Sequence, residues 1–275
     1  MALDWSADPK TPLTVDGVTL EYACFGREPG DAAPTIVLLH EGLGSAALWR
    51  DFPARLADRA GCGVFVYSRQ GYGQSDPTEL PKPLDFMTRE AVDVLPHVLD
   101  AIGAERFILF GHSDGATIAA LHAGNVQDHR IRAMILMAPH FFTEDMGLAE
   151  IAKARTAFAD TDMRAKMAKY HRDPEGAFRG WNDVWLHPDF KAWNVADTID
   201  YIRVPVLAIQ GRDDQYGSLA QIEVIDERSY APVEMLVIDH CRHAPHLEQP
   251  EAVLAGVSGF IDHLEEFEAA RVETA

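Results

Sequence analysis

The sequence predicts an α/β fold: a mostly parallel central sheet with helices on both faces, interrupted once by a helical insertion. Three observations lead there. Short runs rich in Val, Ile, Leu and Phe recur along the chain with helical stretches between them, and strands that are apolar on both sides belong to sheets covered on both faces. That rhythm breaks between about residues 141 and 199, where helical patterns replace strands. A Gly-x-Ser-x-Gly pentapeptide, Gly111 to Gly115, lies directly between an apolar run and a helix-prone one, in the order strand, sharp turn, helix.

Taken in order, Leu13 to Phe25 alternates around Asp16-Gly17 and reads as an antiparallel hairpin at one edge of the sheet. Thr35 to Leu39 is a strand, followed by a helix from about Ala46 to Ala60. Val64 to Tyr67 is the next strand. A longer helix from about Arg89 to Ile102 places Val94, Leu95, Val98, Leu99 and Ile102 on one stripe. Phe107 to Phe110 leads into the pentapeptide, and Ala133 to Met137 is a further strand. Val204 to Ile209, Met235 to Ile238 and a last helix from about Pro250 to Glu266 complete the set. Residues 1–140 and 200–275 therefore form the core domain. Residues 141–199 form a helical cap, read as a lid over the sheet edge where open α/β sheets bind ligands. Trp181, Trp185 and Trp193 fall within it and are the expected substrate-contacting residues.

The formal charge of the 275 residues is −19, with 24 Lys+Arg against 43 Asp+Glu. That balance argues against nucleic acid or an anionic membrane surface as partner. The segment that begins Met1-Ala2-Leu3 lacks the basic and apolar pattern of a signal peptide, and no run reaches the length of a membrane span. Cys24, Cys62 and Cys241 are too few and too scattered for a disulfide framework. A cytoplasmic setting is expected, with a small molecule as partner and a homodimer as an allowed assembly.

The glycines of Gly111-His112-Ser113-Asp114-Gly115 suit a crowded, strained turn that presents Ser113 at a helix N-terminus. A serine needs a positioned base. Candidates lie in Asp239 to Glu251, after the last strand, and an acid lies in Gly211-Arg212-Asp213-Asp214, after the strand before it. Nucleophile, acid and base thus follow three different strands at one sheet edge, in the chain order Ser, Asp, His.

Over nearly its whole length the chain resembles the α/β-hydrolase fold superfamily, most of all the pimeloyl-methyl-ester-type carboxylesterases and the meta-cleavage-product hydrolases. Four segments carry the resemblance: His40 to Ser45, Gly71-Tyr72-Gly73-Gln74-Ser75, the Ser113 pentapeptide, and His243 to Pro250. The resemblance implies an α/β-hydrolase fold, His243 as base and Asp214 as acid. Arg242 stands where the family has glycine, and Gln215 where it often has proline, so Asp213 stays open as the acid. The family pattern implies oxyanion donors at the backbone N–H groups of Gly42 and Asp114. Glu41 replaces the usual glycine of that loop. Its side chain is either solvated or paired with Arg69 or another base, since a carboxylate at the oxyanion would oppose it.

The implied activity is a serine hydrolase that cleaves a small carboxylic ester or thioester through an acyl-enzyme, without cofactor. One rival is carbon–carbon hydrolysis of a vinylogous diketone by the same residues. Another is a non-catalytic binding protein on the same scaffold, and a cofactor-free oxygenase or perhydrolase is more remote. No metal is expected: His240, His243 and His246 share no helix face, and the H-E-x-x-H arrangement is absent. Cys241 reads as a packed thiol. Gly71-Tyr72-Gly73 lacks the third glycine and acidic partner of a dinucleotide loop.

Overall fold

The computed structural model describes residues 3–30 and 33–273; the outermost core residues expected at 1–2 and 274–275, and residues 31–32, lie outside it. Among the described residues there are nine strands: β1 Leu13–Val15, β2 Val18–Leu20, β3 Tyr22–Phe25, β4 Thr35–Leu39, β5 Gly63–Tyr67, β6 Phe107–His112, β7 Ile131–Met137, β8 Val206–Gly211 and β9 Val233–Ile238. Seven of them form one sheet in the order β3-β5-β4-β6-β7-β8-β9. All its neighbours are parallel except β3, which pairs antiparallel to β5.

The six parallel strands stand where the apolar runs place them. Because side chains alternate between the two faces, each strand feeds two cores. Val37, Leu39, Phe65, Leu109 and Leu136 pack on one side beneath helices Leu95–Ile102 and Asp114–Asn125. Ile36, Leu38, Val64, Phe110 and Ile135 pack on the other beneath helices Phe52–Ala60 and Pro250–Glu273.

Three expectations are corrected. The stretch from Leu13 to Phe25 is not one edge hairpin: β1 and β2 make a separate two-stranded sheet around Asp16-Gly17, both at positive φ, and only β3 joins the large sheet. The helix from Ala46 to Ala60 is two pieces, a 3₁₀ turn Ala46–Trp49 and a helix Phe52–Ala60, broken at Arg50 (φ 56°). Pro53, in the first turn of the second piece, lacks the N–H to continue an earlier helix. The helix expected from Arg89 begins at Phe86 and widens into a π turn over Glu90–Val94 before resuming at Leu95–Ile102. Pro96 sits at the resumption, where its missing N–H and ring exclude an ordinary turn.

Between β7 and β8 the chain forms helices Asp145–Asp160, Met163–Met167 and Pro174–Trp185 and two 3₁₀ turns, with no strand among the described residues. Leu148, Ile151, Trp181 and Trp185 of this segment share the lining of one cavity with Ser113 and His243. No helix among the described residues is long and apolar enough to cross a membrane.

Candidate active site

Ser113 follows β6 directly and is the N-cap residue of the helix Asp114–Asn125, with φ 54° and ψ −120°. A side chain in that region costs on the order of 1–3 kcal/mol and persists only when its surroundings fix it. Here the Ser113 N–H donates to Met137 O at 2.9 Å, and its carbonyl accepts from the N–H groups of Ala116 and Thr117. The flanking glycines are required sterically. A Cβ on Gly111 would lie 2.3 Å from Gly115 O, and one on Gly115 would lie 2.0 Å from Leu39 O.

Ser113 Oγ lies 3.0 Å from His243 Nε2, and His243 Nδ1 lies 2.8 and 3.0 Å from the two carboxylate oxygens of Asp214. With Nδ1 protonated toward Asp214, Nε2 is free to accept the serine proton. Asp214 is buried and further accepts from Gln210 Nε2 and the Tyr216 N–H. Burial alone would raise its pKa, but the charge and hydrogen bond of His243 and the Tyr216 N–H hold it below the ordinary carboxylate value. Asp213 is exposed, and its N–H donates to Cys241 O, so of the two adjacent aspartates Asp214 faces the histidine.

The three histidines of the last loop separate cleanly. His240 is exposed. His246 is buried between Trp49, Phe52 and His112, with ring centroids 4.7, 5.6 and 4.9 Å away, and burial pushes its pKa down to about 3. His243 alone of the three bonds to Ser113. Cys241 is buried, and burial pushes its thiol up to about 11, away from the thiolate a nucleophile needs.

On the opposite side of Ser113, the loop after β4 is held from behind. His40 accepts the Arg69 N–H on Nε2, and its Nδ1–H donates to Glu41 O. The Arg69 guanidinium donates to the carbonyls of His40 and Glu41, so Arg69 braces the loop's backbone and does not pair with the Glu41 carboxylate. Glu41 turns toward His112, with Oε2 3.6 Å from Nδ1. Burial would raise its pKa, but His112 outweighs that and holds the carboxyl well below its ordinary value. His112 Nε2–H donates to His243 O at 2.6 Å. His112 thus stands between the two loops that flank Ser113, hydrogen-bonded to the His243 carbonyl and 3.6 Å from the Glu41 carboxylate. Sequence reasoning missed it because the partners are far apart in the chain; the signals were a carboxylate in place of a loop glycine and a histidine inside the pentapeptide.

These groups open into a cavity of about 140 Å³ lined by Ser113, His243, Gly42, Asp114 and, from the β7–β8 segment, Leu148, Ile151, Trp181 and Trp185. Gly42 must lack a side chain, since a Cβ there would lie 2.2 Å from the Trp181 indole. Trp193 stays outside the lining. It stacks on Phe190 at 5.1 Å and meets Trp185 edge-on at 5.7 Å, so its bulk is spent on packing. His140 and Tyr216, not anticipated from the sequence, also line the cavity beside His243. Burial and the nearby His243 push His140 down to about 3.

The segment is fastened to the core at both ends of the cavity. His171 accepts the Gly73 N–H on Nδ1 and donates from Nε2 to Leu43 O. Glu144 accepts from the Ser218 N–H and Gln221 Nε2.

A family model described as "Alpha/beta hydrolase family" matches residues 36–256. Among curated proteins, the chain is similar to the alpha/beta hydrolase domain-containing protein WAV2 of Arabidopsis thaliana, 26% identical over 73% of this chain. The chain spans 59% of that relative's length and a smaller share of the next ones it matches. Among solved structures it is similar to a proline iminopeptidase of Mycobacterium smegmatis (TM-score 0.74, 20% identity, 94% of this chain and 99% of that one). It is also similar to a meta-cleavage product hydrolase of Pseudomonas fluorescens (TM-score 0.71, 19% identity, 92% and 97%). At such identities these likenesses speak for the fold, an α/β-hydrolase fold.

Proposed function

The chain belongs to the alpha/beta hydrolase family, and we propose that within it the protein is a serine hydrolase acting on small carboxylic esters or thioesters. The observation that carries this reading is the unbroken chain from Ser113 Oγ through His243 to the buried Asp214, opening into a largely apolar cavity.

In this reading His243 takes the Ser113 proton as Oγ attacks the acyl carbonyl, and Asp214 fixes the tautomer and stabilises the imidazolium. The oxyanion is received by the N–H groups of Gly42 and Asp114. Asp114 opens its helix, so its N–H is among those left without an intrahelical acceptor. His243 then protonates the leaving group, and water repeats the sequence on the acyl-enzyme. Residues 141–199 act as the cap: Trp181, Trp185, Leu148 and Ile151 cover the acyl chain and exclude water.

A panel of p-nitrophenyl esters of rising acyl length, run beside a meta-cleavage diketone, tests the reading. Ester turnover that falls about 10³-fold or more in a folded Ser113→Ala variant is expected. Near-wild-type turnover in that variant, or turnover of the diketone alone, would sink it.

A further inference from the structure

Asp114 is fully buried, lines the cavity beside Ser113, and neither of its carboxylate oxygens has a hydrogen-bond partner. Buried polar groups are nearly always satisfied within the protein, and an unmet one is costly. The Trp185 indole N–H approaches the carboxylate but completes no hydrogen bond and is itself unpartnered. Burial pushes Asp114 up to about 6 against the opposing pull of Arg69 and Lys82, so near neutral pH it is mostly a carboxylate. Those two cations are engaged elsewhere. Arg69 donates to the carbonyls of His40 and Glu41, and Lys82 Nζ lies 4.3 Å above the Tyr72 ring.

The cavity lining holds three carboxylates, Asp114, Glu41 and Glu144, and neither lysine nor arginine. Glu144 accepts from Ser218 and Gln221, and Glu41 lies 3.6 Å from the basic ring of His112, whereas Asp114 has beside it only the indole N–H of Trp185. Its Oδ2 points at Gly42, 3.1 Å from where a Cβ would stand, beside the Trp181 indole. A carboxylate among aromatic faces, closed off from water, is a receptor for an alkylammonium. An uncompensated charge there would also oppose the oxyanion forming next to it. A substrate that brings its own cation removes that opposition.

We infer that Asp114 receives an ammonium group carried by the acyl portion of the substrate, a few bonds from the scissile carbonyl, so that the preferred substrates are short aminoacyl esters or thioesters. This rests on the serine-hydrolase reading above.

The test compares ethyl 3-aminopropanoate, whose amine is protonated at neutral pH, with its neutral isostere ethyl butanoate, in the wild type and in Asp114→Asn. The ratio of the two kcat/KM values cancels intrinsic differences between enzymes. That ratio should favour the ammonium ester in the wild type and fall about tenfold or more in Asp114→Asn. A ratio that favours the neutral ester in the wild type, or that is unchanged by the substitution, overturns the inference. Should Asp114→Asn not fold, Asp114→Ser takes its place. Calorimetry on Ser113→Ala, which keeps Asp114, adds a readout free of chemistry: n-propylammonium should bind and 1-propanol should not. Equal binding, or no binding of the cation, likewise overturns it. If no ester is hydrolysed at all, the hydrolase reading fails while the binding measurement still decides the ammonium site.

Discussion

Arg242 Nε donates to Gln215 Oε1 across 3.2 Å, joining the loop that carries His243 to the loop that carries Asp214. Each residue stands where the family resemblance expects another, glycine before the base and proline after the acid, and the two departures touch. Arg242 is not at positive φ, so glycine is not required there. Because the pair is exposed, its coupling should be small. A double-mutant cycle of Arg242→Gly and Gln215→Ala, read by urea unfolding, should give a coupling below about 1 kcal/mol. A larger value would mean that the link holds the acid and base together.

The histidines of the last loop should separate by kind of defect. His243→Ala should lower kcat by about 10³-fold or more while leaving the protein folded. His246→Ala should instead cost roughly 1–3 kcal/mol of stability, because its ring packs among Trp49, Phe52 and His112. Turnover of its folded fraction should stay near wild type. The reverse outcome, with His246→Ala inactive and His243→Ala active, would reassign the base.

The tryptophans should divide in the same way. Trimming Trp181 or Trp185 to Phe should change the ranking of esters by chain length, by about tenfold in relative kcat/KM, since each lines the cavity. Trp193→Phe should lower thermal stability and leave the ranking alone, since its contacts are Phe190 and Trp185. A ranking moved by Trp193→Phe and unmoved by the other two would contradict the cavity assignment.

Asp114 should also mark the pH dependence of stability. Its pKa rises from 3.8 to about 6 on folding. The folded protein therefore holds this proton to higher pH than the unfolded chain does. The resulting penalty is fully present above about pH 6 and disappears as the pH falls toward 4. Asp114→Asn should accordingly be more stable than wild type at pH 8, by up to about 2–3 kcal/mol. The gap should close near pH 4. Urea unfolding at several pH values checks this; a gap that widens on acidification would refute it.

The parallel strands were legible because apolar runs flanked by turn residues admit few other readings. That Ser113 and His243 meet was legible because close packing and strand-end placement bring residues after neighbouring strands to one sheet edge. The choice of Asp214 over Asp213 was not legible, since both lie in one turn after β8 and only the fold buries one and exposes the other. The break at Arg50 and the π turn before Pro96 were hidden because the periodicity survives a small local rewinding. The edge hairpin was misread because alternation reports one buried face without naming the sheet that buries it. Trp193 was counted with its neighbours because composition does not distinguish an aromatic ring that lines a cavity from one that supports the lining.

The ring of His171, lodged between the Gly73 N–H and the Leu43 carbonyl, gives the molecule a built-in reporter. The Gly73 amide is covered by a residue of the β7–β8 segment and not by its own strand or helix. Its deuterium exchange therefore proceeds when that contact parts. Exchange at this single amide would time the lifting of the segment from the core, and a bound ligand that holds the segment down would slow it.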